Sequence, residues 1–123
     1  MLSQEGNLLL KEQKKQRLMC KMAYLIVSTT VESKKDAEEL AKKIVKAKLG
    51  ACVHISNIKS FYNWKGNLEV SNEFKLDIKT SSNHYKKLGR FILDNHKYEL
   101  PEITAIRFAG YSKYLGWING SLK

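Results

Sequence analysis

With 123 residues, 43% of them hydrophobic and 28% charged, the chain has the size and composition of one globular domain around a single core. It has no apolar run near the ~20 residues that a membrane helix needs, and Leu8 to Leu10 is too short for a secretory leader, so a cytoplasmic protein without a membrane partner is expected. The formal net charge of +10 raises the question of a polyanion, but the lysines are dispersed along the chain without an arginine cluster, so solvated lysine faces are the better reading and no nucleic-acid partner is expected.

Residues 1–21 form a basic N-terminal extension without a sustained apolar stripe, expected to be disordered or a marginal helix. A different sequence opens at Met22, and the folded domain is placed at 22–123. Ala23 to Thr30 is a short apolar run that predicts a strand. Ser33 then stands as a helix N-cap, with Asp36 in the capping-box position. Ala37, Leu40, Ala41, Ile44, Val45 and Leu49 follow on one helical stripe, and Gly50 is expected to end the helix at C′.

Ala51 to Trp64 and Leu68 to Thr80 predict two long strands joined by a turn at Lys65-Gly66-Asn67. Both exceed the usual strand length, so the hairpin should project beyond a small sheet and need another surface. Ser82 is expected to cap a second helix with Tyr85, Leu88 and Ile92 on one face, ending near Asn95. Thr104 to Ala109 predicts a fourth strand and Tyr111 to Asn119 a short terminal helix.

This order is β-α-β-β-α-β, an α+β sandwich of ferredoxin-like type with a long central hairpin. Two helices with one apolar stripe each cover only one face of the sheet. The other face would carry Cys52, His54 and Ser56 beside Lys75, Asp77 and Lys79, too polar for a private core but suited to a polar interface between subunits. The two cysteines, Cys20 and Cys52, lie in unlike contexts, which argues for thiols rather than a disulfide.

Five segments carry more specific information: Leu49-Gly50-Ala51-Cys52-Val53, Phe61 to Gly66, Ile78-Lys79-Thr80, His96 to Ile103, and Tyr114-Leu115-Gly116-Trp117-Ile118. In that order and spacing, Met22 to Leu122 resembles the CutA divalent-cation-tolerance proteins. The resemblance implies a tight homotrimer similar in architecture to PII-type signalling proteins, with the long hairpin pairing strands between subunits. It also implies an association with divalent cations, copper above all, and no enzymatic activity. Two departures stand out. Lys97 replaces the proline of the family's usual His-Pro-Tyr-Glu, predicting a looser and more cationic loop. Ser28 stands where some members have a cysteine, removing a soft ligand.

Cys52 and His54 are two apart on a strand, so they share a face, and thiolate with imidazole suits copper or zinc. The family association attaches to Cys52, with His96 as the second metal residue; a small buried side chain and a helix-end imidazole are the duller alternatives. Lys79, Tyr98 and Glu99 are assigned to a polar cleft for a small ligand near a subunit boundary, on the PII analogy. Trp64, beside the hairpin turn where one chain can hardly cover it, is assigned to the trimer interface.

Other functions on this topology fit worse. An RNA-binding domain of this order needs aromatic rings on its third strand, where this chain has Lys75 and Asp77. An acylphosphatase-like enzyme needs an anion-cradling loop with arginine after the first strand, and Thr29-Thr30-Val31-Glu32 has neither glycine nor arginine. A structural or signalling trimer whose cleft matters more than a metal stays open beside the metal-tolerance reading.

Overall fold

The computed structural model describes residues 22–123, and the extension assigned to residues 1–21 lies outside the described residues. The chain runs β1 (Tyr24–Val31), α1 (Lys34–Lys46), β2 (Cys52–Trp64), β3 (Asn67–Ser81), a 3-10 turn (Ser82–His84), α2 (Tyr85–Asp94), β4 (Thr104–Phe108) and α3 (Ser112–Gly120). The strands form one antiparallel sheet in the order β2-β3-β1-β4, the predicted ferredoxin-like arrangement. Its core joins Leu25, Val27 and Val31 of β1 to Leu76 and Ile78 of β3 beneath Leu40 and Ile44 of α1 and Leu88 and Ile92 of α2.

α1 begins as predicted, with the Ser33 hydroxyl accepting from the Asp36 amide at 3.0 Å. Its buried stripe is narrower than predicted. Ala37, Leu40 and Ile44 are buried, but Val45, one residue past the centre of the face, is 44% exposed. The helix end also differs. Lys48, not Gly50, holds the left-handed position with φ 59°, and Lys48 N–H to Val45 O at 3.1 Å with Leu49 N–H to Ile44 O at 3.2 Å completes a Schellman motif. Gly50 serves a different need. A Cβ there would lie 2.5 Å from Ile78 Cγ2 and 2.9 Å from Ile44 Cγ2, so glycine lets the chain pass between helix and sheet.

Ser82 does not cap the second helix. Its hydroxyl accepts from the Ala23 amide at 2.9 Å, and its own amide donates to Ala23 O at 2.7 Å, stapling the start of β1 to the end of β3. α3 packs against β3 with Ile118 fully buried.

The hairpin is as long as predicted. Pairing runs from Cys52↔Lys79 to Trp64↔Asn67, and the two-residue turn has φ 52° at Lys65 and 82° at Gly66, a type I′ geometry. β1 accompanies β3 only as far as Val31↔Phe74, so the arms Ile58–Trp64 and Asn67–Glu73 stand free of β1 over ~20 Å.

One core position is chemically mismatched. Thr29 shares its side of β1 with Leu25, Val27 and Val31, is fully buried, and its Oγ1 has no hydrogen-bond partner. A buried unpartnered hydroxyl is destabilising by ~1–3 kcal/mol. Thr29→Val, which keeps the branched shape, is expected to raise unfolding stability by about 1–2 kcal/mol in urea titrations; an unchanged or lower midpoint would show that the hydroxyl is satisfied.

Candidate metal centre and cleft

The pleat places Cys52, His54 and Ser56 opposite Lys79, Asp77 and Lys75 on the sheet face away from α1 and α2. Cys52 Sγ lies 3.5 Å from His54 Nε2. That spacing has chemical meaning. A tetrahedral ion with metal–sulfur bonds of ~2.3 Å and metal–nitrogen bonds of ~2.0–2.1 Å holds its S and N donors about 3.5 Å apart. The pair therefore fits two corners of such a site. Among the described residues no three His, Cys, Asp or Glu side chains converge to hold an ion, so further donors must come from elsewhere. Beside the pair, Ser28 Oγ donates to Asp77 Oδ1 at 2.6 Å, and Lys75 Nζ approaches the same oxygen at 3.5 Å. Ser28, in the position of the missing cysteine, is thus committed to a carboxylate.

His96 does not join Cys52. Cys52 sits level with Lys79 and Ile26, whereas His96 bonds the backbone at Thr30, four residues further along β1 or ~13 Å in strand direction. Both of its ring nitrogens are occupied. Nδ1 accepts from the Tyr98 amide at 3.1 Å, which leaves the proton on Nε2 to donate to Thr30 O at 2.8 Å. The imidazole ties the 95–103 loop to β1, so the two expected metal residues, Cys52 and His96, do not meet within one chain.

The loop has further anchors. Lys97 Nζ reaches Asp36 Oδ1 at 2.9 Å, so the residue replacing the family proline is tied to the first turn of α1. The Lys97 hydrogen bond holds the Asp36 carboxyl below the usual range, and the same bond raises the Lys97 ammonium. Tyr98 Oη donates to Glu73 Oε2 at 2.9 Å, and burial together with that carboxylate keeps the phenol protonated far above its ordinary range. Among the described residues Glu99 pairs with Lys65 of the hairpin turn, at 3.8 Å with both side chains largely exposed, a weak pair.

Lys79 also stands apart from Tyr98 and Glu99. It donates to Tyr114 Oη at 3.1 Å with its ammonium 5.0 Å from that ring, near the C-terminal end of β3, whereas Glu73 lies at the middle of the strand, ~20 Å away along it. The predicted cleft of Lys79, Tyr98 and Glu99 is therefore not assembled within one chain. Another cleft is. Between the projecting hairpin and the 95–103 loop lies an open space of about 910 Å³ bounded by Trp64, Tyr62, Glu73, Tyr98, Glu99 and Glu102 among others. Trp64 is half-buried here, with the Lys65 ammonium 5.4 Å from its ring. Glu73 was not singled out from the sequence. Its signal was position: it continues the polar row of Lys75, Asp77 and Lys79 to the level where β1 ends.

The family profile described as CutA1 divalent ion tolerance protein matches residues 25–121. The Divalent-cation tolerance protein CutA of Archaeoglobus fulgidus is 36% identical over 95 residues, covering 76% of this chain and 93% of that protein. The chloroplastic Protein CutA of Arabidopsis thaliana is 37% identical over 101 residues, covering 80% of this chain but only 56% of the longer plant protein. The crystal structure of CutA1 from Oryza sativa superimposes with a TM-score of 0.80 at 35% identity, covering 82% of this chain and 94% of that one.

Proposed function

This chain belongs to the CutA1 divalent ion tolerance family, and on that premise we propose that it binds a divalent cation at a centre completed between copies of itself. The observation that carries the proposal is the 3.5 Å spacing of Cys52 Sγ and His54 Nε2 on the open sheet face. Thiolate and imidazole favour copper or zinc over magnesium or calcium. Two donors from one chain leave the coordination sphere open, and a second or third copy supplies the rest.

A homotrimer is the assembly we propose. β2 and β4 are both sheet edges, which invite pairing, and Phe61 and Leu68 on the free arms are 66% and 76% exposed. Trp64 near the arm's tip is the proposed contact residue. Binding rather than catalysis is the proposed role, because His96, the imidazole of the 95–103 loop, has both nitrogens held by backbone. A reducing compartment such as the cytoplasm suits the free Cys52 thiol.

The test is calorimetric titration of the reduced protein with zinc and with copper, alongside light scattering. A mass three times the 14.2 kDa chain is expected. Cys52→Ser and His54→Ala are each expected to weaken metal binding at least about tenfold, the scale of losing one of few donors. Wild-type affinity in both variants would remove this pair from the account. The 910 Å³ cleft favours a second reading, in which a small ligand binds beside the hairpin and the metal is incidental.

A further inference from the structure

We propose that one end of the helical layer, formed by the last turn of α1 and the first two turns of α2, binds the phosphate backbone of double-stranded nucleic acid without reading its sequence. This surface lies on the side of the sheet away from Cys52 and His54, and the inference makes no use of the metal centre. The copies proposed to meet at the open sheet face and the hairpin arms leave it uncovered.

The acidic residues leave three long gaps in the chain: no aspartate or glutamate occurs in 40–68, 78–93 or 103–123. The fold brings part of each gap to one place. α1 runs back from the end of β1 and hands over to β2 at Cys52, which is level with Lys79. β3 ends at Ser81 opposite Tyr24, and α2 starts just beyond the staple between Ser82 and Ala23. β4 ends at Phe108, also opposite Tyr24, and the Lys123 amide donates to Lys48 O at 3.1 Å. The C-terminal end of α1 and the N-terminal end of α2 are therefore neighbours in the packed helix pair. Lys46, Lys48, Lys86, Lys87 and Arg90 are all exposed there. Lysines that are dispersed in sequence are gathered in space. The ion pairs among the described residues engage Lys34, Lys65, Lys75 and Lys97, and none of these five cations.

α2 is the sharper observation. α1 carries its charges the way a helix dipole favours, with Asp36 in the first turn and Lys43 and Lys46 in the last. α2 carries them the other way round. Lys86 and Lys87 stand in its first turn with no acid and no capping side chain, and Asp94 closes its C-terminal end. Lys86 and Arg90 add a repulsive i,i+4 pair on the exposed side. Nothing within the chain offsets this arrangement among the described residues. A polyanion does, because it meets the lysines and the positive end of the helix together.

The side chains of the patch select the kind of polyanion. Val45 is the one large apolar side chain exposed at this end of the helical layer, and no aromatic side chain of α1 or α2 is exposed. A face that enters a lipid surface needs an apolar stripe, and a single strand is held by stacking its bases on aromatic rings. Duplex nucleic acid asks for neither. Its charge lies on the outside, about one per 1.7 Å of helix axis, and phosphates are met by exposed cations alone. The sequence leading into Met22 at this same end adds Lys14, Lys15, Arg17 and Lys21.

The experiment is fluorescence anisotropy of the full chain with labelled short DNA and RNA duplexes of mixed sequence, with the matching single strands, and with vesicles rich in phosphatidylglycerol. Binding to either duplex that falls steeply between about 50 and 200 mM salt is expected. Lys86→Glu combined with Lys87→Glu should weaken it at least about tenfold and flatten the slope of log affinity against log salt by about 2. This variant places acids in a first turn, where the dipole favours them, so its unfolding midpoint should equal or exceed that of the wild type. Lys34→Glu combined with Lys35→Glu, at the acidic end of α1, changes the net charge equally and should bind within about threefold of wild type. Equal losses in the two double variants overturn the proposal, since net charge alone would then govern binding. So do salt-insensitive or absent duplex binding, single strands bound more tightly than duplexes, and capture by vesicles without binding to duplex.

Discussion

Gly50→Ala is expected to lower unfolding stability by about 1–3 kcal/mol, the range for forcing one extra methyl into a packed core. The added Cβ would fall 2.5 Å from Ile78 Cγ2 and 2.9 Å from Ile44 Cγ2. Both are Cγ atoms of β-branched side chains that are fully buried, so neither can swing aside as the end of a lysine would. Relief needs α1 to lift from β3, which loosens the whole α1–sheet contact. Ile78→Ala alone leaves a cavity and is expected to lower stability by about 2–5 kcal/mol. In the double variant the new methyl enters the space vacated at position 78, so the two losses should fall short of additivity by roughly 0.5–3 kcal/mol. Denaturant titrations at one fixed protein concentration read all three, since assembly would make the midpoint concentration-dependent. A Gly50→Ala variant as stable as wild type would mean that helix and sheet are not in contact at this crossing.

The local physics of the elements was legible in the sequence. Period-two alternation at Phe74, Leu76 and Ile78 and the helical stripe at Ala37, Leu40 and Ile44 each specify an element and its buried face. Ser33 with Asp36 marked a helix start, and Lys65-Gly66 marked a turn. What escaped was set by partners distant in sequence. Gly50 looked like a helix terminator because glycine usually answers a need for positive φ, whereas here the neighbouring Ile78 demands space. Ser82 resembled a cap, but its hydroxyl is taken by the Ala23 amide, 59 positions away. Likewise Lys79, Tyr98 and Glu99 all lie in the family's segments, yet Lys79 meets Tyr114 near the C-terminal end of β3 whereas the loop meets Glu73 at the middle of that strand. Cys52 with His54 was readable because strand pleat alone puts them on one face.

These separations bear on function. A small sheet with one polar face gains little from burying that face within its own chain, because Asp77, Lys75 and Lys79 need partners rather than hydrocarbon. The structure meets that need locally with Ser28, Asp77 and Lys75, and with Lys79 and Tyr114. Cys52 and His54 are left with only each other among the described residues. They are the polar pair on this face whose chemistry is soft enough to make a metal the natural third party.

His96→Ala should separate scaffold from metal chemistry. The imidazole makes two hydrogen bonds to backbone, at 2.8 Å to Thr30 O and 3.1 Å from the Tyr98 amide, and its ring centre lies 4.9 Å from that of Tyr98. At ~1 kcal/mol for each bond, with the ring contact added, the loss is expected to be about 2–3 kcal/mol. Alanine supplies neither donor nor acceptor, so the Tyr98 amide loses its partner and should exchange its hydrogen faster than in the wild type. That local readout matters, because a general loss of stability would accelerate exchange across the core as well. Loosening the loop also loosens the Tyr98–Glu73 bond, since the two are consecutive links from β1 to β3. Metal titrations, by contrast, should stay within about twofold of wild type, because His96 lies ~13 Å along the strand from the Cys52–His54 level. Metal affinity falling with His96→Ala while Cys52→Ser and His54→Ala bind normally would move the metal centre to the loop. In that case His96 would have to release a backbone partner to coordinate, and the slow exchange of the Tyr98 amide should disappear when metal is added to the wild-type protein.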